Sequence, residues 1–208
     1  MGISYIKKLS EDAQIGLWQM TESWQELREL VELTETDQRV LTEKKTDNRR
    51  QEWLACRALL KNMSGRDAEI VYHENGKPFL KGNNHFISMS HSGAFVCVYL
   101  DNNKSIGIDI QKIKPGISKG SDFFLNEEEQ MWVDADDNLL LHTIWSAKES
   151  VFKFAGNPDF DLKKHIVTNP FSGNQKGSIE VKLIHPDHTE SVQVGYDNFE
   201  DYVLTWTV

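Results

Sequence analysis

Apolar residues recur at helical spacing in three stretches of the chain. In residues 46–63 they form one stripe with basic residues around it: Trp53, Leu54, Leu59 and Leu60, flanked by Arg49, Arg50, Arg57 and Lys61. Gly65 is placed to end this helix, because glycine readily adopts the left-handed conformation of a helix C-cap. Similar patterns cover residues 121–133 and 138–155. The spacing therefore predicts three helices.

Short apolar runs typical of strands follow the helices. After the first helix they cover residues 69–72, 79–80, 86–89, 94–100 and 105–110, separated by the turn-forming sequences NGKP, KGNN and DNNK. After the later helices they cover residues 178–185, 191–196 and 202–208. A helix followed by strands, twice, predicts an α+β fold of two similar halves, residues 1–104 and 105–208, related by a pseudo-twofold axis in one compact unit. Each half would pack a helix on a small, mostly antiparallel sheet, and a site between the halves would take residues from both.

Composition and charge exclude several classes of protein. The chain has 208 residues with a net charge of −9, which argues against a general nucleic-acid binder. The longest strongly apolar run, 95–100, is too short to span a membrane, and the N-terminus lacks the apolar run of a signal peptide. We therefore expect a cytoplasmic protein. Cys56 and Cys97 form no metal or redox motif and are expected in the core.

Basic charge is concentrated in one segment. Residues 39–66 hold eight Lys or Arg side chains and three acidic ones. Such a patch indicates an anionic partner. A solvated helix face would give the same pattern, and the composition alone leaves both interpretations open.

Three short motifs could carry chemistry. The first, SMSHSG at residues 88–93, is expected as a turn at a sheet end, where hydroxyls, an imidazole and backbone N–H groups could meet phosphate oxygens. A polar hairpin turn is the alternative. The second, GIDIQ at residues 107–111, carries Asp109 among isoleucines, where burial of the charge requires a bound cation or a salt bridge. Asp109 and Gln111 should share a strand face.

The third motif is WSAKESVFK, residues 145–153. Glu149 and Lys153 are spaced i and i+4 on the predicted helix, the order of an ordinary surface pair. Trp145 and Phe152 lie on the same part of the helix and indicate partial burial. A partly buried glutamate with flanking lysines fits a metal and phosphate site better than a solvated face.

Together with NGKP, these motifs resemble the phosphopantetheinyl transferases of the larger, surfactin-synthetase-activating type. The resemblance runs from about residue 49 to residue 153, and its most specific part is the pair of GID and W-S-x-K-E-x-x-x-K motifs, with Asp109 and Glu149 40 residues apart. It implies an enzyme that uses Mg²⁺ to transfer 4′-phosphopantetheine from coenzyme A to a serine of an apo acyl or peptidyl carrier protein, releasing 3′,5′-ADP.

The resemblance also implies roles for individual residues. Asp109 and Glu149 would bind magnesium, Lys153 would meet the coenzyme A phosphates with help from Lys148, and Glu149 would activate the serine hydroxyl directly or through water. Further contacts with coenzyme A are implied for Lys77, Ser90, His91 and Arg50. The family type often has a glutamate where this chain has Gln111, which could ligate the metal itself or through a water without adding charge.

Two other functions remain open at this point. A magnesium-dependent phosphohydrolase could use the same carboxylates, and a non-catalytic module could bind coenzyme A or a carrier. The resemblance further implies acidic carriers, which a local basic surface would attract, either residues 39–66 or Lys112, Lys114 and Lys119. Because two halves in one chain need no second subunit, we expect a monomer.

Overall fold

The structure is a computed structural model that describes residues 2–82 and 85–208. The chain folds into two compact units. The first takes in the chain up to Glu74 together with Pro78–Lys104, and the second takes in Asn75–Lys77 and Ser105–Val208. The KGNN turn expected from the sequence lies partly outside the described residues.

The first unit is built on a six-stranded antiparallel sheet with the strand order β1-β2-β6-β5-β4-β3. Its strands are β1 (Ile3–Lys8), β2 (Ala13–Gln19), β3 (Ile70–Tyr72), β4 (Pro78–Leu80), β5 (Phe86–Ser92) and β6 (Phe95–Asp101). Its helices are α1 (Trp24–Glu29), α2 (Glu35–Glu43) and α3 (Asp47–Ser64).

Helix α3 forms where the apolar spacing predicts it. The Thr46 side chain caps it by accepting a hydrogen bond from the Arg49 backbone N–H, and Gly65 ends it with a positive φ of 72°. Leu54 and Leu59 of its apolar stripe are fully buried in a core shared with the strands. The predicted helix and its C-cap are confirmed.

The second unit has a five-stranded antiparallel sheet with the order β7-β11-β10-β9-β8. Its elements are β7 (Ile108–Lys112), a 3-10 helix (Ile117–Phe123), α4 (Glu127–Gln130), α5 (Asn138–Ala155), β8 (Ile166–Thr168), β9 (Lys176–Ile184), β10 (Thr189–Phe199) and β11 (Tyr202–Thr207). Ala147 and Val151 of α5 are fully buried against apolar residues of this sheet. Helix α5 matches its predicted span.

The predicted helix over residues 121–133 is wrong. The 3-10 helix ends at Phe123, and a separate short helix begins after Asn126, whose side chain accepts a hydrogen bond from the Glu129 N–H while the Glu129 carboxylate bonds back to Asn126. This capping box starts a new helix inside the apolar pattern. The hydrophobic pattern did not predict three of the strands, β1, β2 and β8, or the helices α1 and α2.

The predicted α+β class agrees with this mixture of helices and antiparallel sheets. The two sheets differ in strand number, six against five, and the pseudo-twofold relation stays a prediction. Among the described residues, no helix has the length and apolar character that crossing a membrane requires.

Candidate active site

Gly107 lets β7 approach helix α5 closely. A Cβ atom at this position would overlap the carbonyl oxygen of Ser150 and lie 2.8 Å from the backbone nitrogen of Phe154. Only glycine leaves room for this approach. The glycine of the GID motif therefore allows Asp109, two residues later, to lie against α5.

Asp109 is buried, with 2% of its surface exposed, and its carboxylate accepts hydrogen bonds from side chains of β7 and α5. Lys153 Nζ lies 2.7 Å from Oδ1, while Ser146 Oγ and Gln111 Nε2 each donate to Oδ2 at 3.0 Å. Of the two compensations expected for this charge, the salt bridge is present in the chain itself. The bond from Gln111 confirms that it shares a strand face with Asp109.

Glu149 lies beside this group on α5, in a partly buried position. Burial raises the pKa of Glu149, the negative charge of Asp109 raises it further, and the ammonium of Lys153 opposes the rise. Trp145 and Phe152 are partly buried, as predicted. Glu149, Asp109 and Lys153 therefore form one electrostatically coupled group in the second unit.

The donors of this group fit a magnesium ion. Magnesium prefers oxygen ligands and is commonly held by one or two carboxylates together with substrate phosphates. Asp109 and Glu149 supply two carboxylates whose charges repel each other, so a divalent cation would relieve both. In residues 2–82 and 85–208, no cluster of three or more His, Cys, Asp and Glu side chains is arranged as a complete protein site, so substrate oxygens would have to complete the coordination.

Lys148, the neighbour of Glu149, has a different environment. It is fully buried, and its Nζ donates to the carbonyl oxygens of Phe124 (2.6 Å) and Leu162 (3.0 Å) and to Glu129 Oε2 (2.7 Å). Burial lowers the pKa of Lys148, and the charge of Glu129 opposes this. These contacts favour a role in holding α4 and the chain before β8 against α5 over the implied contact with coenzyme A phosphates.

Lys77 is tied to the end of α5. Its Nζ donates to Ser105 Oγ and to the carbonyl oxygen of Phe154, the latter at 2.6 Å. Asn75 Nδ2 likewise donates to the carbonyl oxygen of Gly156 at 2.6 Å. Burial lowers the pKa of Lys77 to about 8. The NGK sequence thus packs with the second unit, and its implied contact with coenzyme A stays a prediction.

A second polar group lies in the first unit, on α3 and β5. Arg49 Nη1 lies 3.1 Å from Glu52 Oε2 and 3.4 Å from His91 Nε2, and His91 Nδ1 lies 3.4 Å from Glu52 Oε1. Arg50 instead pairs with Asp47 at 2.6 Å. Arg49 therefore lies beside His91, and the implied contact of Arg50 with coenzyme A stays a prediction.

The SHSG segment differs from the expected turn. Residues 88–92 belong to β5, and only Gly93, with φ 57°, and Ala94 form the turn to β6. Because adjacent strand residues point to opposite faces, Ser90 and His91 do not present their side chains on one face. His91 is the one that meets α3.

At least four of the eight basic side chains of the segment 39–66 form ion pairs. Arg49 and Arg50 pair as described above, Arg57 pairs with Asp37 in a buried contact of 2.8 Å, and Lys61 pairs with Asp67 at 2.8 Å. These pairs reduce the charge that the segment offers to a partner. The ion pairs therefore favour a solvated helix face over a binding surface for an anionic partner.

Several residues of these groups were missed in the sequence. They are Ser146, Ser150 and Thr205 around Asp109, Glu129 beneath Lys148, and Arg49 and Glu52 beside His91. Two signals could have found some of them: Ser146 and Ser150 stand one turn apart in the buried stripe of α5, and Asn126 precedes Glu129 by the spacing of a capping box.

The second unit contains a segment that matches a known protein family. Residues 105–207 match the family model of the 4′-phosphopantetheinyl transferase superfamily. The 4′-phosphopantetheinyl transferase AcpT of Escherichia coli K12 is 35% identical over 121 residues, 55% of this chain and 62% of that protein. The 4′-phosphopantetheinyl transferase of Bacillus subtilis is 34% identical over 139 residues, 63% of this chain and 58% of that protein.

A third relative is the 4′-phosphopantetheinyl transferase gsp of Aneurinibacillus migulanus, 30% identical over 111 residues, 50% of this chain and 46% of that protein. The chain therefore spans less than two thirds of each of these relatives. The segment matched by the family contains β7 with Asp109 and α5 with Glu149 and Lys153. Through residues 105–207, the chain is similar to the 4′-phosphopantetheinyl transferase superfamily.

Proposed function

We propose that this protein transfers 4′-phosphopantetheine from coenzyme A to a serine of an apo acyl or peptidyl carrier protein, with Mg²⁺, and releases 3′,5′-ADP. The observation that carries the proposal is the coupled group of Asp109, Glu149 and Lys153 inside the segment that matches the family. The proposal includes a monomer that acts in the cytoplasm.

The residues of this group suit a phosphoryl-group transfer. Asp109 and Glu149, with the amide oxygen of Gln111, would hold Mg²⁺, and the bound ion would offset the negative charge of the pyrophosphate. Lys153 has a partly exposed side chain whose ammonium can pair with a phosphate oxygen. Burial and the charge of Asp109 raise the pKa of Glu149, which favours it as a proton acceptor for the carrier serine.

The proposed transfer needs no reactant besides coenzyme A and the carrier serine. The serine oxygen forms a bond to the phosphorus that carries pantetheine, and the bridging bond of the pyrophosphate breaks. The leaving group is 3′,5′-ADP, and the serine proton passes to Glu149 directly or through water. Charge that develops on the phosphoryl oxygens is met by Lys153.

The polar group of the first unit is our proposed contact for the nucleotide phosphates. Arg49 supplies a permanent positive charge on a largely exposed side chain, and the partly exposed imidazole of His91 lies beside it. A phosphate would be bound there through charge-assisted hydrogen bonds. Ser90 and Arg50 remain candidates from the resemblance alone.

Mass spectrometry of candidate apo carriers, incubated with the protein, coenzyme A and MgCl₂, tests the proposal. We expect one phosphopantetheine to be added per carrier and 3′,5′-ADP to appear in equal amount, with little transfer by the isosteric variants Asp109→Asn and Glu149→Gln. Release of inorganic phosphate with no carrier modified would identify a phosphohydrolase instead. Binding of coenzyme A without turnover would identify a binding module.

A further inference from the structure

Three buried hydroxyl groups form a chain that ends on the carboxylate of Asp109. Ser146 Oγ lies 3.0 Å from Asp109 Oδ2 and 3.0 Å from Thr205 Oγ1, and Ser150 Oγ lies 2.7 Å from Thr205 Oγ1. Ser146, Ser150 and Thr205 are fully buried. Nothing in the function proposed above uses these hydroxyls.

The fold brings the four side chains together from three elements. Asp109 on β7 and Thr205 on β11 are direct partners across the antiparallel pair, so their side chains share one face of the sheet. Ser146 and Ser150 lie one turn apart on α5 and point to that face. Ala147 and Val151, from the same helix, are fully buried and apolar, so unbonded hydroxyls here would cost free energy.

The direction of the hydrogen bonds follows from the acceptor at the end of the chain. An ionised carboxylate only accepts, so Ser146 must give its single hydroxyl proton to Asp109. Thr205 Oγ1 donates to the carbonyl oxygen of Ser146 at 2.8 Å, which leaves its lone pairs for Ser150. Ser150 gives its single proton to Thr205, either to the carbonyl oxygen at 3.0 Å or to Oγ1 at 2.7 Å. Ser146 therefore gives its proton to Asp109, and Thr205 holds Ser146 in place through its bond to the backbone carbonyl oxygen.

We propose that Ser146, supported by Thr205, is a positioning residue that fixes the Asp109 carboxylate for cation binding. The hydrogen bond to Oδ2 fixes the rotation of the carboxylate and leaves Oδ1 directed at the cationic side, where Lys153 lies. Partners of this kind, one step behind a metal ligand, set the orientation and the affinity of the ligand. The inference rests on the proposed function, specifically on its use of Mg²⁺.

A purely structural role is the alternative, and Ser150 is the matched control for it. Ser146 and Ser150 are equally buried serines of the same helix and the same hydroxyl chain, but the bond to Asp109 comes from Ser146. If the hydroxyls only join α5 to the sheet, removing either one should have the same effect. If Ser146 positions Asp109, the two variants should differ in their response to Mg²⁺.

The test compares Ser146→Ala and Ser150→Ala with the parent by two measurements. Thermal unfolding midpoints are recorded against MgCl₂ concentration with coenzyme A present, and transfer rates are measured over the same range. We expect both variants to unfold at lower temperature without metal. Ser146→Ala should need about tenfold more Mg²⁺ for half of the stabilisation and half of the rate, whereas Ser150→Ala should match the parent.

Thr205 provides a second pair of variants should either serine variant fail to fold. Thr205→Ser keeps the hydroxyl and should keep the parent response to Mg²⁺, whereas Thr205→Val, of similar shape, should shift it in the direction of Ser146→Ala. Equal Mg²⁺ responses across each pair would overturn the positioning role and leave the proposed function standing. A parent protein that responds to Mg²⁺ in neither measurement would overturn the metal in the proposed function, and this inference with it.

Discussion

Gln111 donates a hydrogen bond from Nε2 to Asp109 Oδ2 over 3.0 Å. The family that the motifs resemble often has a glutamate at this position, and an ionised glutamate has no N–H or O–H group to donate a hydrogen bond. The amide therefore presents an N–H group to the buried carboxylate, and its oxygen remains the atom that could ligate a cation. Gln111 thus stabilises the charge of Asp109, and it offers the proposed Mg²⁺ no third carboxylate.

Gln111→Glu should make the thermal stability of the protein depend more strongly on Mg²⁺ and should lower the Mg²⁺ concentration that transfer requires. The new carboxylate would replace a donor to Asp109 with a like charge, so the metal-free thermal midpoint should fall, and added MgCl₂ should raise it more than in the parent. The concentration of Mg²⁺ for half-maximal transfer should decrease. Gln111→Leu, which removes both the donor and the ligand oxygen, should increase it. An unchanged magnesium dependence in both variants would place Gln111 outside the metal's environment.

Lys148→Met should destabilise the protein without a specific effect on coenzyme A. The substitution would leave Glu129, which is fully buried, without its ammonium partner, a loss that typically costs about 3–5 kcal/mol. Glu129→Gln added to Lys148→Met should recover part of the loss, because no charge then remains buried. Urea unfolding measures the free energies. A raised Michaelis constant for coenzyme A at unchanged stability would instead support the phosphate contact implied by the resemblance.

Arg49→Gln and Arg50→Gln are a matched pair for the nucleotide contact. Arg49 lies beside His91, whereas Arg50 pairs with Asp47. If Arg49 binds the 3′-phosphate, the parent should bind coenzyme A more tightly than dephospho-coenzyme A, and Arg49→Gln should reduce that preference by about 1.5–3 kcal/mol. Arg50→Gln should retain it. Calorimetric binding of both nucleotides provides the measurement, and an equal preference in the two variants would exclude Arg49 from that role.

Lys77 should make stability depend on pH in the alkaline range. Burial lowers its pKa from the ordinary 10.5 to about 8, so between these values the unfolded chain holds a proton that the folded protein has lost. The free energy of unfolding therefore increases as pH rises through this window. Below it, the full cost of burying the charged Lys77 side chain applies. Relative to Lys77→Met, the parent should become more stable from pH 8 to pH 10. A constant difference between the two proteins would show that Lys77 is not held in a desolvated site.

The sequence predicted the elements that local spacing determines. Helices α3 and α5 and the shared strand face of Asp109 and Gln111 depend on periodicities of 3.6 and 2 residues, which are visible in the chain. The partners of individual charges depend on tertiary packing. Nothing local distinguishes Arg49 from Arg50 or assigns Lys148 to Glu129, 19 residues earlier.

The same limit applies to the environment of Asp109. The motif indicated that its charge needs compensation, and the structure supplies Lys153 together with Ser146. Thr205 reaches this group only through the pairing of β11 with β7, two strands at opposite ends of the second unit's sequence. Contacts of such separation follow from sheet topology, which the hydrophobic pattern alone did not provide.

Carrier docking provides the last prediction, because an acidic enzyme must meet carriers that the resemblance implies are acidic. The ion pairs within residues 39–66 reduce the positive charge that this segment offers to a carrier. Lys112 likewise pairs with Asp201 at 3.2 Å. We therefore expect the exposed Lys114 and Lys119 to supply the local attraction. Screening acts over about 8 Å at physiological ionic strength, so such a local patch outweighs the net charge of −9.

Lys114→Glu with Lys119→Glu should therefore raise the Michaelis constant for the carrier and leave that for coenzyme A unchanged, and salt should slow transfer by the parent at low carrier concentration. The double variant should lose most of this salt dependence, because the attraction that salt screens has been removed. Phe123, 80% exposed on the neighbouring 3-10 helix, is the apolar control. Phe123→Ser could raise the Michaelis constant for the carrier while salt and the lysine variants leave that constant unchanged. In that case docking is apolar and the electrostatic prediction is wrong.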